Sequence, residues 1–392
     1  MSYKFAEGEP IVEWLEALDD EAAARLAAGL RRETHPRDSV SADLAGNDYL
    51  GLSRHPAVLA AAAAALHTYG LGATGSRLVR GSTDVHRELE ESLAGLLGCA
   101  ASLVYSSGYL ANLGAVRALA RPGALIVSDA HNHASIVDAC RLARGAGREG
   151  VETVVAPHAD PAAVAAILAA HPGRPALVVT ESIFSVDGDL APLPELYEIA
   201  RSHGALMLVD DAHALGVLGP RGAGGAAAAG LAGAPGLVVT ATLSKSLGAA
   251  GGVIAGPEQL HRQLVDTGRT FIFDTALPPA VAAGALAALR LLAEGDDLRA
   301  GLHARAARAV DRLRGEGLEV STPAGGVISV AAPGPDEALA WATACRDRGV
   351  AVGCFRPPST PDGRSRLRLT VNVGIPADAF DEALDVILKE RP

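Results

Sequence analysis

The stretch "LPELYEIARSHGALMLVD", residues 193–210, decides the fold. Residues 193–204 have the length and polarity of an amphipathic helix, and residues 205–210 form an almost continuous apolar run that ends in Asp210. A surface helix that leads directly into a fully apolar strand is typical of a parallel sheet with helices on both faces. This stretch therefore predicts an α/β fold.

The same alternation repeats along the middle of the chain and predicts a mostly parallel sheet of seven strands. The predicted strands are 102–106, 124–129, 151–156, 176–181, 205–210, 236–241 and 251–256. The last two are joined by too few residues for a crossover helix. One of them is therefore expected to be an antiparallel neighbour.

The pattern changes after Pro278 and Pro279, where a long helical pattern covers 280 to about 315. Shorter strands and helices follow it and predict a compact α+β unit. We therefore expect three parts: an N-terminal helical segment at 1–45, with an amphipathic helix near 11–33, that packs on the small domain; a large domain at 46–286; and a smaller α+β domain at 287–392.

The composition argues against several classes of function. The 392 residues carry a net charge of −11 and no long basic run, which argues against a nucleic-acid partner. The four cysteines include no C-x-x-C pair, which fits the reducing cytoplasm better than a zinc site or a disulfide framework. The longest apolar run, residues 57–66, is too short to span a bilayer, so no membrane association is expected.

Polar residues follow the apolar runs at the point where each predicted strand ends. Because ligands bind at the carboxyl ends of parallel strands, these residues mark the expected site. They lie at 106–109, 128–133, 181–182, 210–213 and 242–245.

Lys245 is the most unusual of them, because the chain uses arginine almost everywhere else and has only two other lysines, Lys4 and Lys389, both close to the termini. Arginine stays protonated, whereas a desolvated lysine can become a nucleophilic amine. From the number of lysines alone, Lys245 is as well explained as a surface residue as it is as a residue that forms a Schiff base.

Two further stretches suggest an anion site and a ring-binding carboxylate. In "SSGYLANLGAV" (106–116) a strand leads into a helix whose first N–H groups could bind phosphate, although an ordinary helix cap explains it too. In "LMLVDDAHALG" (206–216) Asp210 could hold a ring nitrogen protonated and His213 could contact a ring oxygen. Alternatively, these acids are solvated loop residues, or the stretch binds a metal. A metal site is less favoured than an organic cofactor, because no third ligand lies at a suitable spacing.

"SDAHNHASIVDA" (128–139) adds two histidines at a helix start, His131 and His133, one of which could stack on an aromatic ring. An imine-forming lysine, a carboxylate for a ring nitrogen, a phosphate site and a flat stacking group are together what pyridoxal 5'-phosphate requires.

Several of these motifs resemble the α-oxoamine synthases, which have the aspartate-aminotransferase-like fold (fold type I) of the pyridoxal-phosphate enzymes. The similarity covers nearly the whole chain. The matching stretches are "NDYLGLSRHP" (47–56), "GATGSRLVRGSTDVHRELE" (72–90), "SSGYLANLGAV" (106–116), "HASIVDA" (133–139), "ESIFSVDGDLAPL" (181–193), "VDDAHALGVLGPRG" (209–222), "TLSKSLGAAGG" (242–252) and "RLRLT" (366–370).

The resemblance implies a role for each matching residue. Lys245, His133 and Asp210 are implied to be catalytic: Lys245 bonds to the cofactor's aldehyde and later moves the Cα proton, Asp210 pairs with the pyridine nitrogen, and His133 stacks on the ring. The other implied roles are ring contacts by Ser185 and His213, phosphate contacts by Gly108, Tyr109 and Thr242, a phosphate contact in the neighbouring subunit by Thr275, and binding of the amino-acid carboxylate by Asn47 and Arg368.

The resemblance also implies a homodimer with active sites at its interface and a decarboxylative condensation of an amino acid with an acyl thioester. Two stretches, 271–280 and 354–370, resemble the family member that joins L-alanine to a pimeloyl thioester of coenzyme A or acyl carrier protein. Relatives that use glycine stay open as alternatives. Asp274 departs from the usual small hydroxyl residue, and Arg80 is bulkier than usual and is expected to be a surface arginine.

Overall fold

The computed structural model describes residues 10–34, 40, 42–145 and 149–392. Eleven strands are formed in this part of the chain: β1 Ala42–Leu44, β2 Ala101–Tyr105, β3 Leu125–Asp129, β4 Glu152–Ala156, β5 Ala176–Glu181, β6 Leu206–Asp210, β7 Leu237–Thr242, β8 Gly252–Gly256, β9 Val327–Ala331, β10 Val350–Phe355 and β11 Arg366–Thr370.

Fourteen α-helices accompany these strands in the described residues: α1 Pro10–Ala27, α2 Pro56–Tyr69, α3 Asp84–Leu97, α4 Gly108–Leu119, α5 Ala134–Ala143, α6 Pro161–Ala169, α7 Leu193–Ser202, α8 Gly225–Ala228, α9 Glu258–Thr267, α10 Arg269–Ile272, α11 Pro279–Ala293, α12 Asp296–Gly315, α13 Pro335–Asp347 and α14 Ala377–Lys389. None of the described helices is long and apolar enough to cross a membrane.

The large sheet contains the seven predicted strands in the order β2-β8-β7-β6-β5-β3-β4. Strand β8 is antiparallel to both β7 and β2, and the other pairs are parallel. The predicted antiparallel neighbour is thus confirmed. Because β8 reverses direction, β2 points the same way as the parallel strands, and its carboxyl end lies at the same edge as theirs.

Alternate residues of each strand face opposite layers of helices. Leu103 and Tyr105 belong to a core formed with α4, α5 and α9, whereas Val104, between them, belongs to a second core formed with α3, α7 and α11. Burial of both faces explains why these strands are apolar almost without interruption. Because both faces are buried, polar groups are expected at the ends of the strands.

The second sheet has four strands in the order β1-β10-β11-β9. Strand β1 runs parallel to β10, and the other two pairs are antiparallel. The three-residue strand β1 has no sequence signal and was not predicted. The division into three domains stays a prediction, since the two sheets alone do not fix their boundaries.

The long helical pattern at 280–315 forms two consecutive helices. Helix α11 ends at its C-cap Glu294 and α12 begins after its N-cap Gly295. Glycine weakens a helix interior because it has many other backbone conformations. Helix α1 also ends earlier than the predicted amphipathic segment at 11–33.

Residues that follow α1 contact residues 356–359. The guanidinium of Arg356 donates to the carbonyl oxygens of Gly29 and Arg31, and Arg32 donates to Ser359 Oγ over 3.0 Å. Packing of the whole segment 1–45 on a small domain stays a prediction, because residues 1–9, 35–39 and 41 lie outside the described residues, as does Lys4.

Candidate active site

The predicted polar residues meet at the carboxyl edge of the large sheet. Glu181 ends β5 and Asp210 ends β6, and the two are directly paired in the parallel register. Thr242 ends β7, and the loop after it carries Lys245. The site is thus positioned by strands β5, β6 and β7 in the middle of the sheet.

Asp210 is held by a chain of hydrogen bonds from helix α4. It is 4% exposed. Asn112 Nδ2 donates to Asp210 Oδ2 over 2.7 Å, and Thr240 Oγ1 donates to Asn112 Oδ1 over 2.6 Å. The N–H of Ala212 donates to Asp210 Oδ1 over 2.9 Å. These donors occupy both carboxyl oxygens of Asp210 and fix its direction.

Asn112 was missed by the sequence reasoning, although its stretch had been singled out. It lies one helical turn after Gly108, which places both residues on the same side of α4. An amide in an otherwise apolar helix, spaced in this way from a predicted phosphate contact, was the available signal. Asn112 also donates to Ser135 Oγ over 2.9 Å and so links α4 to α5.

The neighbouring acid, Asp211, points away from the site and has a structural task. Its carboxylate accepts hydrogen bonds from the N–H groups of Gly225 and Ala226 over 3.1 and 3.4 Å. Burial raises the pKa of Asp211 to about 7. Gly224, with φ +97°, leaves room for this contact, since a Cβ there would lie 2.2 Å from Asp211 Oδ2. Only Asp210 of the two acids can serve the site.

Lys245 lies in a tight loop between β7 and β8. The N–H of Gly248 donates to its carbonyl oxygen over 2.8 Å. Gly248 has φ +61°, and a Cβ there would lie 2.3 Å from the backbone nitrogen of Ser53, so this turn requires glycine. Burial lowers the pKa of the Lys245 amine to about 8, against the opposing effect of Asp210. The amine can therefore lose its proton close to neutral pH.

Glu181 is a second buried acid at the site, and the sequence reasoning placed it among the strand-end residues there without giving it a role. It is 1% exposed, and its Oε1 atom has no hydrogen-bond partner within the described ranges. Burial and the neighbouring Asp210 raise its pKa well above the usual value. A raised pKa favours the neutral form of the Glu181 carboxyl group.

His213 is joined to Tyr49, another residue without a predicted role. The Tyr49 hydroxyl and His213 Nδ1 lie 2.5 Å apart. Burial, together with the cations Lys245 and Arg368, lowers the pKa of His213 well below its usual value. His213 is therefore a neutral imidazole.

Arg368 brings together the residues predicted to bind an amino-acid carboxylate. Its Nη1 donates to Asn47 Oδ1 over 3.0 Å, and its Nε donates to the carbonyl oxygen of Ser185 over 2.7 Å. The guanidinium also lies over the Phe355 ring, 5.3 Å from its centroid. A buried arginine held in this way presents a fixed cation to a small anionic ligand.

The two histidines at the start of α5 separate into different environments. His133 caps the helix, with the N–H of Ser135 donating to its Nδ1 over 3.2 Å, and desolvation lowers its pKa. Asp210 and Lys245 both act electrostatically on His133, which places it with the site. His131 instead stacks on His158, with ring centroids 3.8 Å apart.

The predicted phosphate contacts adjoin one another where β7 meets α4. Ser107 caps α4 by accepting from the N–H of Leu110 over 3.2 Å. A Cβ at Gly108 would lie 3.1 Å from Thr242 Cβ, so the two residues are in direct contact. Tyr109 adds its backbone to this helix start, while its side chain is 42% exposed and donates to Asp138 Oδ2 over 2.5 Å.

Thr275 is exposed and lies in the segment between α10 and α11. Its neighbour Asp274 accepts a hydrogen bond from Ser106 Oγ of the same chain, just before α4. Asp274 therefore holds Ser106, the residue directly before the N-cap of α4. Arg80 is exposed.

These residues fit pyridoxal phosphate by the chemistry of their donors. They provide an amine with a lowered pKa, a fixed carboxylate, and a helix start lined by Gly108, which leaves its N–H groups accessible. In the described part of the chain, no group of three or more His, Cys, Asp or Glu residues is arranged to hold a metal ion.

A seven-stranded α/β sheet with a lysine and a carboxylate at its edge defines the aminotransferase class of fold. The family model for class I and II aminotransferases matches residues 41–387, and the chain belongs to that family. The predicted fold class is thus confirmed.

Curated relatives place the chain more narrowly. It is 51% identical over 372 residues to an 8-amino-7-oxononanoate synthase of Mycolicibacterium gilvum, covering 94% of this chain and 95% of the relative. It is 50% identical over 376 residues to the Mycobacterium tuberculosis enzyme of the same name, covering 95% and 94%.

Solved structures agree with this placement. A serine palmitoyltransferase of Sphingomonas wittichii has a TM-score of 0.89 at 31% identity, covering 97% of this chain and 98% of that chain. An 8-amino-7-oxononanoate synthase of Francisella tularensis has a TM-score of 0.75 at 26% identity, covering 90% and 98%. The resemblance to the α-oxoamine synthases is confirmed.

Proposed function

We propose that this protein is a pyridoxal-phosphate-dependent acyltransferase of biotin biosynthesis. It condenses L-alanine with a pimeloyl thioester of coenzyme A or acyl carrier protein, and releases 8-amino-7-oxononanoate, carbon dioxide and the free thiol. The observation that carries the proposal is the meeting of Lys245 and Asp210 at one sheet edge, where burial lowers the pKa of the Lys245 amine to about 8 and Asn112 holds the Asp210 carboxyl group in place. The curated relatives supply the choice of substrates.

The cofactor would be held by residues from every side of the site. Lys245 would bond to its aldehyde, Asp210 would pair with the ring nitrogen, and His133 would lie against the ring. Ser185 and His213 would contact the ring's edge, and Gly108, Tyr109 and Thr242 would bind the phosphate. When bound, pyridoxal phosphate supplies an electron sink that acidifies the Cα–H bond of an amino acid.

The remaining chemistry belongs to the protein's own side chains. Arg368 and Asn47 bind the alanine carboxylate and orient its Cα–H bond. The Lys245 amine, when it is not bonded to the aldehyde, would use its pKa of about 8 to take the Cα proton as a general base and would return it after carbon dioxide has left. Asn112 and the N–H of Ala212 donate to the two carboxyl oxygens of Asp210 and fix its direction, so Asp210 is placed to hold a proton on the ring nitrogen.

A homodimer is part of the same proposal. Large apolar side chains are exposed on the segments near Thr275, with Phe273 69% and Val79 84% exposed. Covering such side chains with a second copy would stabilise the protein and would bring Thr275 to the partner's phosphate site. The proposed location is the cytoplasm, which the four free cysteines fit.

The test is identification of the product by mass spectrometry. Purified protein loaded with pyridoxal phosphate is incubated with alanine, glycine or serine and with acyl thioesters of several chain lengths. Alanine with the pimeloyl thioester should give 8-amino-7-oxononanoate faster than any other pair gives its product. Faster turnover of glycine, or no condensation product from any pair, would contradict the proposal.

A further inference from the structure

We propose that Tyr49 is a positioning residue that fixes which ring nitrogen of His213 carries the proton, so that Nε2–H of His213 donates to the phenolic oxygen of the cofactor. The inference rests on the proposed function for the identity of the acceptor. The choice of tautomer itself depends only on residues of this chain.

The direction of the Tyr49 hydroxyl is set by the packing of the residue. Tyr49 is completely buried, and its carbonyl oxygen accepts from the N–H of Val373 over 3.0 Å. Gly326 lies against the ring, since a Cβ there would be 2.8 Å from Tyr49 Cδ1. The ring therefore has no space to turn its hydroxyl away from His213 Nδ1, which lies 2.5 Å from it.

A contact of this kind shares one proton and allows two arrangements. Tyr49 can donate to an unprotonated Nδ1, or a protonated Nδ1 can donate to the tyrosine oxygen. Because burial and the nearby cations keep His213 neutral, the ring carries a single proton and the two arrangements exclude each other. The groups that act on His213 are Tyr49, Lys245, Arg368 and His133.

The surroundings of the Tyr49 hydroxyl decide between the arrangements. The hydroxyl is buried, and His213 Nδ1 is its one hydrogen-bond partner among the described residues. A protonated Nδ1 would leave the tyrosine proton buried without an acceptor, which costs free energy, so the hydroxyl donates to His213 Nδ1. The remaining ring proton must then be on Nε2.

The Nε2 atom is available for a ligand. His213 is 4% exposed, and within the described ranges Nε2 has no hydrogen-bond partner, while Nδ1 is taken by Tyr49. A donor that points at the phenolic oxygen favours the anionic form of that oxygen. Tyr49 thus acts on that oxygen through His213.

The direct test uses nitrogen-15 NMR on protein labelled only in histidine, with and without pyridoxal phosphate. Chemical shifts distinguish protonated from unprotonated ring nitrogens, and the His213→Gln variant assigns the resonance. Wild-type protein should show His213 protonated at Nε2, and Tyr49→Phe should abolish this preference. A proton on Nδ1 in the wild type, or an unchanged spectrum in Tyr49→Phe, would overturn the proposal.

Tyr105→Phe is the matched control. Tyr105 is equally inaccessible, but its hydroxyl has no hydrogen-bond partner in the described residues and its ring packs against Phe271 on the other face of the sheet. This variant removes the same atom and should leave the His213 resonances unchanged. The same change in both variants would show a general effect of hydroxyl loss and would contradict the assignment to Tyr49.

The absorbance of the loaded enzyme provides an independent readout. Without a donor on the phenolic oxygen, the pH at which the cofactor band changes should rise by about one unit in Tyr49→Phe and not in Tyr105→Phe. An unshifted titration in Tyr49→Phe would overturn the link to the cofactor. A colourless protein would instead refute the proposed function, while the histidine spectrum would still decide the tautomer.

Discussion

Two histidines at the same edge of the large sheet are driven to opposite protonation states. His213 is buried beside the cations Lys245 and Arg368, and its pKa is well below the usual value. His158 lies between two carboxylates, with Nδ1 3.0 Å from Asp129 and Nε2 2.8 Å from Asp189. Burial lowers the pKa of both imidazoles, and only at His158 do two neighbouring carboxylates outweigh it.

The region around His158 serves to anchor a loop. Desolvation lowers the pKa of His158, but the hydrogen bonds to Asp129 and Asp189 outweigh it and raise the pKa to about 9. Asp129 ends β3, and Asp189 belongs to the segment that also carries Ser185. A charged His158 therefore ties the end of β3 to a segment that borders the site.

The largest effect on turnover is expected from replacing Lys245, the amine beside His213, with an arginine that cannot lose its proton. Lys245→Arg removes an amine that can lose its proton, so turnover should fall by about 10³-fold or more. Steady-state kinetics together with the cofactor's absorbance would measure it. Lys389→Arg, at an exposed position in α14, is the control and should behave as wild type. Residual activity above one tenth of wild type would exclude Lys245 from the chemistry.

A smaller loss should separate the two adjacent acids. Asp210→Asn removes the charge that faces the site and should lower kcat by ~10²-fold, with little change in stability. Asp211→Asn should retain kcat but lower the free energy of unfolding by about 1–3 kcal/mol, because an amide has one acceptor oxygen and leaves one of the N–H groups of Gly225 and Ala226 without a partner. Kinetics and urea unfolding of both variants would measure this contrast. Equal kinetic losses would mean that the two acids share one function.

The smallest effect concerns His158 and depends on pH. Its folded-state pKa of about 9 exceeds the usual 6.5, so the stabilisation is complete below about pH 6.5 and is lost as the pH rises through about 9. His158→Gln should therefore cost about 1–2 kcal/mol of unfolding free energy at pH 6 and much less at pH 10.

Urea unfolding at the two pH values would measure the change, with His171→Gln as the control. His171 is also partly buried, but its Nδ1 contacts only the carbonyl oxygen of Ile167. If His158→Gln lowers the free energy of unfolding by the same amount at pH 6 and pH 10, His158 stabilises the protein by packing and not by its charge.

The strands of the large sheet were predictable because burial on both faces leaves an unmistakable apolar run. All seven appear within one residue of their predicted ends. Their spatial order was not predictable, since β3 lies between β4 and β5 through contacts that no local pattern records. Strand β1 has only three residues, too few for a periodicity to be recognised.

Site residues that directly follow a strand were predictable from the sequence. Site residues that reach the site through packing against distant parts of the chain were not. Lys245 and Asp210 stand at strand ends and are unusual in type. Tyr49 and Asn112 act through contacts with residues far away in sequence, 164 positions for Tyr49 and His213 and 98 for Asn112 and Asp210. Glu181 ends a strand, but its state depends on burial that a sequence does not reveal.

The pairing of β1 with β10 has a consequence for synthesis on the ribosome. The seven strands of the large sheet are contiguous in the chain between Ala101 and Gly256, so they can all emerge and associate early. Strand β1 emerges before them but must wait for β10, near the end of translation. Until β10 has been made, β1 has no strand to pair with. A chain truncated before Val350 therefore leaves β1 without its partner strand.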